Sequence, residues 1–230
     1  MHVLIYGADG ATGARLVEQA LDRGHTVRAS CRALDGSERA AEGLEWVETD
    51  LLEADGPRGD MAGVDAVLSA VGIDAGPSTV VNPPPLYTDG TRNVIAAMEE
   101  AGVDRLVVIS ASFVETMARG PIWFEAAARL GLSQIFAQMG EMEKILRATP
   151  ALRWTAVRPG WLLDEAASGD FEVFEDVIPE DLIRTRTGDL AAFMLDCAEG
   201  DLHIHATPAI ARPEPASKSG PDAVLAEMMP

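Results

Sequence analysis

The sequence predicts an α/β fold, a single doubly wound parallel sheet, on three observations. Short apolar runs alternate with helical patterns along most of the chain. The runs are apolar almost throughout, as strands are when helices cover both faces of a parallel sheet. The first run also ends in a glycine-rich turn that opens a helix, the junction at which such sheets bind ligands.

His2–Tyr6 is the first strand, ended by Gly7. Residues 11–23 place Leu16, Val17, Ala20 and Leu21 at helical spacing, with Gly24 as the C-cap. Thr26–Cys31 is a second strand, and others are expected near Leu44–Val47 and Asp65–Ala70. A helix runs from Thr91 to Glu100 and is closed by Gly102, and Leu106–Ser110 is the fifth strand. Residues 117–149 read as a long helical region broken near Gly131, with a core stripe of Trp123, Phe124, Leu130, Ile135, Phe136, Met139 and Met142. Trp154–Val157 is a sixth strand, and residues 160–186 are irregular and acidic. Asp189–Ala198 is the final helix, and His203–Ala206 is a candidate seventh strand. From Pro208 on, the composition predicts a frayed tail. The expected organisation is therefore one domain over residues 1–207 and a Pro-rich tail over residues 208–230.

The 230 residues are 47% hydrophobic, enough for a sizeable core, and carry 37 acidic against 18 basic side chains, a formal charge of −19. A field of that sign repels polyphosphates and anionic headgroups, so neither nucleic acid nor membrane is an expected partner. Two cysteines, Cys31 and Cys197, make no disulfide framework and fit a reducing cytosol. No stretch has the apolar length of a membrane span, and the chain opens directly on a strand-like run. The expectation is a cytoplasmic monomer or homodimer acting on a small molecule.

The strongest local signal is Gly7-Ala8-Asp9-Gly10-Ala11-Thr12-Gly13. Gly7 permits the sharp turn, Gly10 bares the backbone where a pyrophosphate approaches, and Gly13 allows close helix–strand packing. The helix N-terminus adds unpaired N–H groups and the positive end of its dipole. A side chain just past the second strand then selects the dinucleotide. An acid there binds a ribose diol, but this chain has Ser30-Cys31-Arg32, and its first acid is Asp35. Arg32, with Arg28 or Ser30, suits a 2′-phosphate, because a guanidinium fork matches phosphate geometry. NADP is therefore expected over NAD.

These motifs resemble the atypical short-chain dehydrogenases/reductases, in the NmrA-like and biliverdin/flavin-reductase-like branch. The resemblance runs from residue 1 to about 206 through the glycine turn, Gly24 to Arg32, Thr49-Asp50-Leu51, Ala70-Val71-Gly72, Val107 to Ser110 and Val157-Arg158-Pro159-Gly160. It implies a Rossmann domain with a short irregular substrate-covering segment at about 160–186. It also implies that Asp50 and Leu51 lie beside the adenine, Ala70, Val71 and Gly72 along the ribose and phosphate, and Pro159 at the nicotinamide.

For catalysis the resemblance implies a Ser at the end of strand five and a Tyr-xxx-Lys pair on the next helix. Lys144 stands as that lysine, one of only two in the chain, but Gly140 replaces the tyrosine. Tyr6 and Tyr87 lie elsewhere. Ser112 or Ser110 has two readings, a donor to a substrate carbonyl and a strand-end cap. Hydride transfer belongs to the cofactor, so a flavin, quinone or tetrapyrrole acceptor is able to take its proton from water.

Other features are weaker. His203 and His205 have two-ligand metal spacing but no third ligand nearby, so no metal is expected. Trp161, Leu162, Phe171 and Phe174 are candidates for an apolar lid. The carboxylates between Glu165 and Asp181 disfavour an anionic substrate unless they face solvent. The expected activity is NADPH-dependent reduction of a small conjugated or carbonyl compound. The rivals are a non-catalytic NADP(H)-sensing regulator and an isomerase, epimerase or dehydratase.

Overall fold

The computed structural model describes residues 1–36, 38–73, 79, 82–116, 132–220 and 223. The strands are β1 (His2–Tyr6), β2 (Thr26–Cys31), β3 (Leu44–Glu48), β4 (Ala66–Ser69), β5 (Arg105–Ile109), β6 (Arg153–Pro159), β7 (Trp161–Leu163), β8 (Glu172–Phe174), β9 (Arg184–Arg186) and β10 (Ala209–Ala211). The helices are α1 (Ala11–Asp22), α2 (Thr91–Ala101), α3 (Phe113–Thr116), α4 (Ser133–Arg147), α5 (Thr187–Gly200) and α6 (Ala216–Ser219), with a 3-10 turn at Gly56–Met61. The part of the expected long helix before Leu132, with Trp123, Phe124 and Leu130, lies outside the described residues.

The main sheet has the order β3-β2-β1-β4-β5-β6-β10-β8. All its neighbours are parallel except β8, which runs antiparallel to β10. The chain winds outward from β1 in both directions, so β1 and β4 form the switch point. Tyr6 there pairs with Ser30 on one side and Ser69 on the other. A side-chain period of two divides each strand between two faces. Leu4, Val67, Leu106 and Val108 pack with α2 and α4, while Val3, Ile5, Leu68 and Val107 pack with α1 and α5. This is the doubly wound Rossmann sheet expected from the alternating pattern.

Two expectations are corrected. His203–Ala206 is not a strand: Asp201, His203 and His205 all take positive φ, 52°, 54° and 59°, and only Ala206 bridges to Thr155. The seventh parallel strand is β10, fully buried between β6 and β8. The segment from Pro208 thus begins inside the sheet rather than as a frayed tail. Beyond it the buried Glu214 carboxylate takes both Arg186 and Arg212, which anchors the chain as far as α6.

Candidate dinucleotide site

The turn after β1 is built from contacts that only glycine tolerates. Gly7 has φ +72°, and a Cβ there would lie 2.9 Å from the Ala70 carbonyl oxygen. A Cβ on Gly13 would lie 1.9 Å from the Gly7 carbonyl oxygen, so α1 rests directly on the turn. Gly10 differs, because its missing side chain would meet only the Gly7 oxygen, at 3.4 Å. Its outer side is open.

The first α1 bond runs from the Ala14 N–H to the Gly10 carbonyl, so the amides of Ala11, Thr12 and Gly13 precede the helical ladder. No side chain caps this end and no acid stands in its first turn. Bare backbone, N–H groups free of the ladder and a positive dipole end are what a diphosphate requires. The cradle therefore fits a dinucleotide.

Ala70 and Val71 lie beneath Gly7, while Gly72 and Asp9 are exposed. Arg32 follows the buried end of β2, is exposed, and has no ion pair or hydrogen bond among the described residues. Arg28 is committed elsewhere, to Glu45 at 3.0 Å and the Ala62 carbonyl at 3.0 Å, and Ser30 is buried. Of these three side chains, Arg32 alone is exposed and uncommitted among the described residues. Asp50 is exposed, its carboxylate accepting the Leu52 N–H, and Leu51 lines a small apolar pocket with Ser69, Val71, Leu86 and Val94.

The catalytic residues expected from the resemblance are not brought together. Lys144 is 72% exposed and ion-paired to Glu141 at 3.1 Å. The buried face of α4 carries Met139, Met142, Glu143 and Leu146. Lys144, about 200° around the helix from Met142, therefore points outward. Both serines are buried and their hydroxyls serve the frame. Ser110 donates to Glu143 at 2.7 Å, and Ser112 donates to the Arg158 carbonyl at 2.9 Å. Of their two readings, this arrangement matches the strand-end cap. Pro159 is buried at the end of β6, and its carbonyl accepts the Ser112 N–H.

Gly140 leaves no phenol at the expected position, and a Cβ there would meet Val114 at 3.3 Å. Neither tyrosine replaces it. Tyr6 donates to Asp60, and Tyr87, hydrogen-bonded to the Ile73 backbone, is pushed by burial up to about 12. Nearby, Phe113 and Phe136 are buried in the core with their rings 5.6 Å apart.

Sequence reasoning missed the fully buried ion pair of Glu143 with Arg158. Nε and a terminal nitrogen of Arg158 grip the two carboxylate oxygens at 2.8 and 2.6 Å. The available signal was an acid among methionines on the apolar face of α4, and an arginine inside an apolar strand.

The weaker features resolve as packing. Phe171 meets Phe193 edge-on, Phe174 covers Ile178 and the β10 alanines, and Trp161 packs on the α2–α4 core, while Leu162 is exposed. The acids Asp170, Glu172, Glu175, Asp176, Glu180 and Asp181 face solvent. His205 bonds the Leu152 carbonyl while His203 lies against Phe193. Among the described residues no cluster of His, Cys, Asp or Glu is arranged to hold a metal, and no helix is long and apolar enough to cross a membrane.

Comparison with known proteins agrees with this geometry. Residues 7–201 match the family model described as NAD(P)H-binding. An uncharacterised chloroplastic protein of Arabidopsis thaliana is 29% identical over 194 residues, 79% of this chain and 68% of its own. A candidate NADH-flavin reductase from Streptococcus pneumoniae superposes with a TM-score of 0.71 at 22% identity, covering 93% of this chain and 100% of that one. A short-chain dehydrogenase/reductase from Veillonella parvula, solved in complex with NADP, gives 0.76 at 13% identity, over 92% and 94%. These two likenesses establish the shared fold, and the family match joins the glycine cradle to a nicotinamide cofactor. The chain belongs to the NAD(P)H-binding family.

Proposed function

We propose that the protein is an NADPH-dependent reductase of a small conjugated or carbonyl-bearing compound, a quinone, a flavin or a similar ring system, working without a catalytic tyrosine. The observation that carries this is the bare glycine turn under the uncapped α1 N-terminus at the switch point. Bound NADPH would supply the hydride. The Ala11–Gly13 amides would hold its diphosphate, and Arg32 its 2′-phosphate.

A neutral, flat acceptor is supported by the apolar packing at the carboxyl end of β5. Phe113, Val114 and Phe136 are apolar, and the hydroxyls of Ser110, Tyr6 and Tyr87 are engaged. The proton that accompanies the hydride then comes from water, which suits a quinone or flavin better than a simple ketone. Two buried free thiols suit a reducing cytoplasm. The same missing phenol favours a second reading, a regulator that binds NADP(H) without turnover.

One experiment separates them. NADPH absorbance is followed in stopped flow against menadione and FMN, after calorimetry has fixed the NADPH Kd. Oxidation with either acceptor supports the reductase. Tight binding with no oxidation supports the regulator, and no binding removes both.

A further inference from the structure

Resting on the reductase reading, we propose that Arg158 is the positioning residue of the substrate half of the site. Its buried guanidinium fixes three separate segments around the carboxyl ends of β5 and β6.

Arg158 is 1% exposed in a strand whose other buried side chains are mostly apolar. An apolar residue would pack there without the cost of desolvating a charge. Each nitrogen is instead used, and together the three reach three segments. Nε and one terminal nitrogen bind Glu143 on α4, and that same terminal nitrogen reaches Glu115 of α3 at 3.1 Å. The remaining nitrogen donates to the Asp176 carbonyl, just past β8, at 3.0 Å. Asp176 is held in turn by the Thr207 hydroxyl at 2.6 Å.

The exit of β5 joins the same network, because Ser110 donates to Glu143 and Ser112 to the Arg158 carbonyl. Thus α3, α4 and the chain after β8 share one rigid, planar donor, and the Ser110–Ser112 turn is tied to it through Glu143 and the Arg158 carbonyl. None of these partners belongs to the glycine turn, α1 or β2. The hub therefore sets the substrate walls and leaves the dinucleotide cradle alone. At 1% exposure Arg158 touches no substrate, so its role is positional rather than catalytic.

The test uses two variants, Arg158→Lys, which keeps the charge but loses the fork, and Glu115→Gln, whose exposed side chain threatens folding little. Small displacements of reacting groups are costly to turnover. Arg158→Lys should raise the KM for menadione about tenfold or more, and Glu115→Gln a few-fold. The NADPH Kd should stay within about twofold in both. A Kd that rises in step with KM, or a KM unchanged in both variants, overturns the proposal.

If the wild-type protein reduces neither menadione nor FMN, the reductase reading fails by itself. Amide hydrogen exchange then decides the positioning claim. Arg158→Lys should speed exchange at residues 110–115 and 172–177 while residues 3–16 keep their wild-type rates. Unchanged exchange in the first two segments, or equal acceleration in all three, overturns it.

Discussion

Tyr6 donates its hydroxyl to Asp60 at 3.2 Å, and Thr49 donates to the same carboxylate oxygen at 2.6 Å. Asp60 is nonetheless held above its ordinary value, because burial outweighs these hydroxyls and the nearby Arg28 charge. The folded state then keeps a proton that the unfolded chain has lost. Stability contributed at this site is present at low pH and falls as pH rises through the window between the unfolded value of 3.8 and the higher folded one. Asp60→Asn cannot titrate and keeps an oxygen for both hydroxyls. Its stability relative to wild type should therefore improve from about pH 4 to about pH 7. Urea unfolding of both proteins across that range checks this, and a constant difference refutes it.

Gly13→Ala and Gly10→Ala should part company. The first places a methyl 1.9 Å from backbone, so α1 must shift, at a cost of about 1–3 kcal/mol or more. The second meets its nearest atom at 3.4 Å and should fold with a loss within about 1 kcal/mol, yet bind NADPH more weakly because the methyl occupies the open side. Thermal unfolding and calorimetry with NADPH read the two effects separately.

Arg32→Ala should weaken NADPH binding by about ten- to hundredfold, the loss of a charge-assisted contact of about 1.5–3 kcal/mol. NADH binding should change little. Equal weakening of both dinucleotides would remove the phosphate role from this side chain.

Lys144→Met should leave the NADPH Kd, turnover and stability near wild type, the last within about 0.5 kcal/mol. The side chain is 72% exposed, and its partner Glu141 lies one turn away on the same helix. A clear loss of cofactor affinity would show that the lysine turns inward when NADPH binds.

Alkaline titration at the phenolate band should show no tyrosine ionising near the ordinary value of 10. The chain has two tyrosines, both raised by burial, Tyr87 to about 12 and Tyr6 also upward beside the Asp60 carboxylate. The absorbance should rise only with alkaline unfolding. A step near pH 10 in the folded protein contradicts the buried settings of both rings.

The dinucleotide cradle was readable because its determinants are local. An apolar run, three glycines and a helical stripe all fall within residues 2–22, and each meets its structural partner inside that window or on adjacent strands. The outward direction of Lys144 was not read from the sequence, although the residues of α4 contain it. Met139, Met142 and Leu146 fix the phase of its buried face, and that phase puts Glu143 inside and Lys144 outside. The resemblance to a Tyr-xxx-Lys motif pointed the other way. The partner of Glu143 was not readable, because Arg158 reaches it from a strand whose placement depends on the whole sheet. β10 was hidden differently: three residues between prolines carry almost no periodic signal, and its pairing partners are distant in sequence.

The slot that β10 fills has a kinetic side. A ribosome delivers β6 and β8 before residues 209–211 emerge, so the nascent chain holds two strand edges apart until β10 arrives. Unpaired edges invite pairing with other chains. Completion of this sheet therefore waits on β10, and messages cut short after the codon for Thr207 should yield aggregating product.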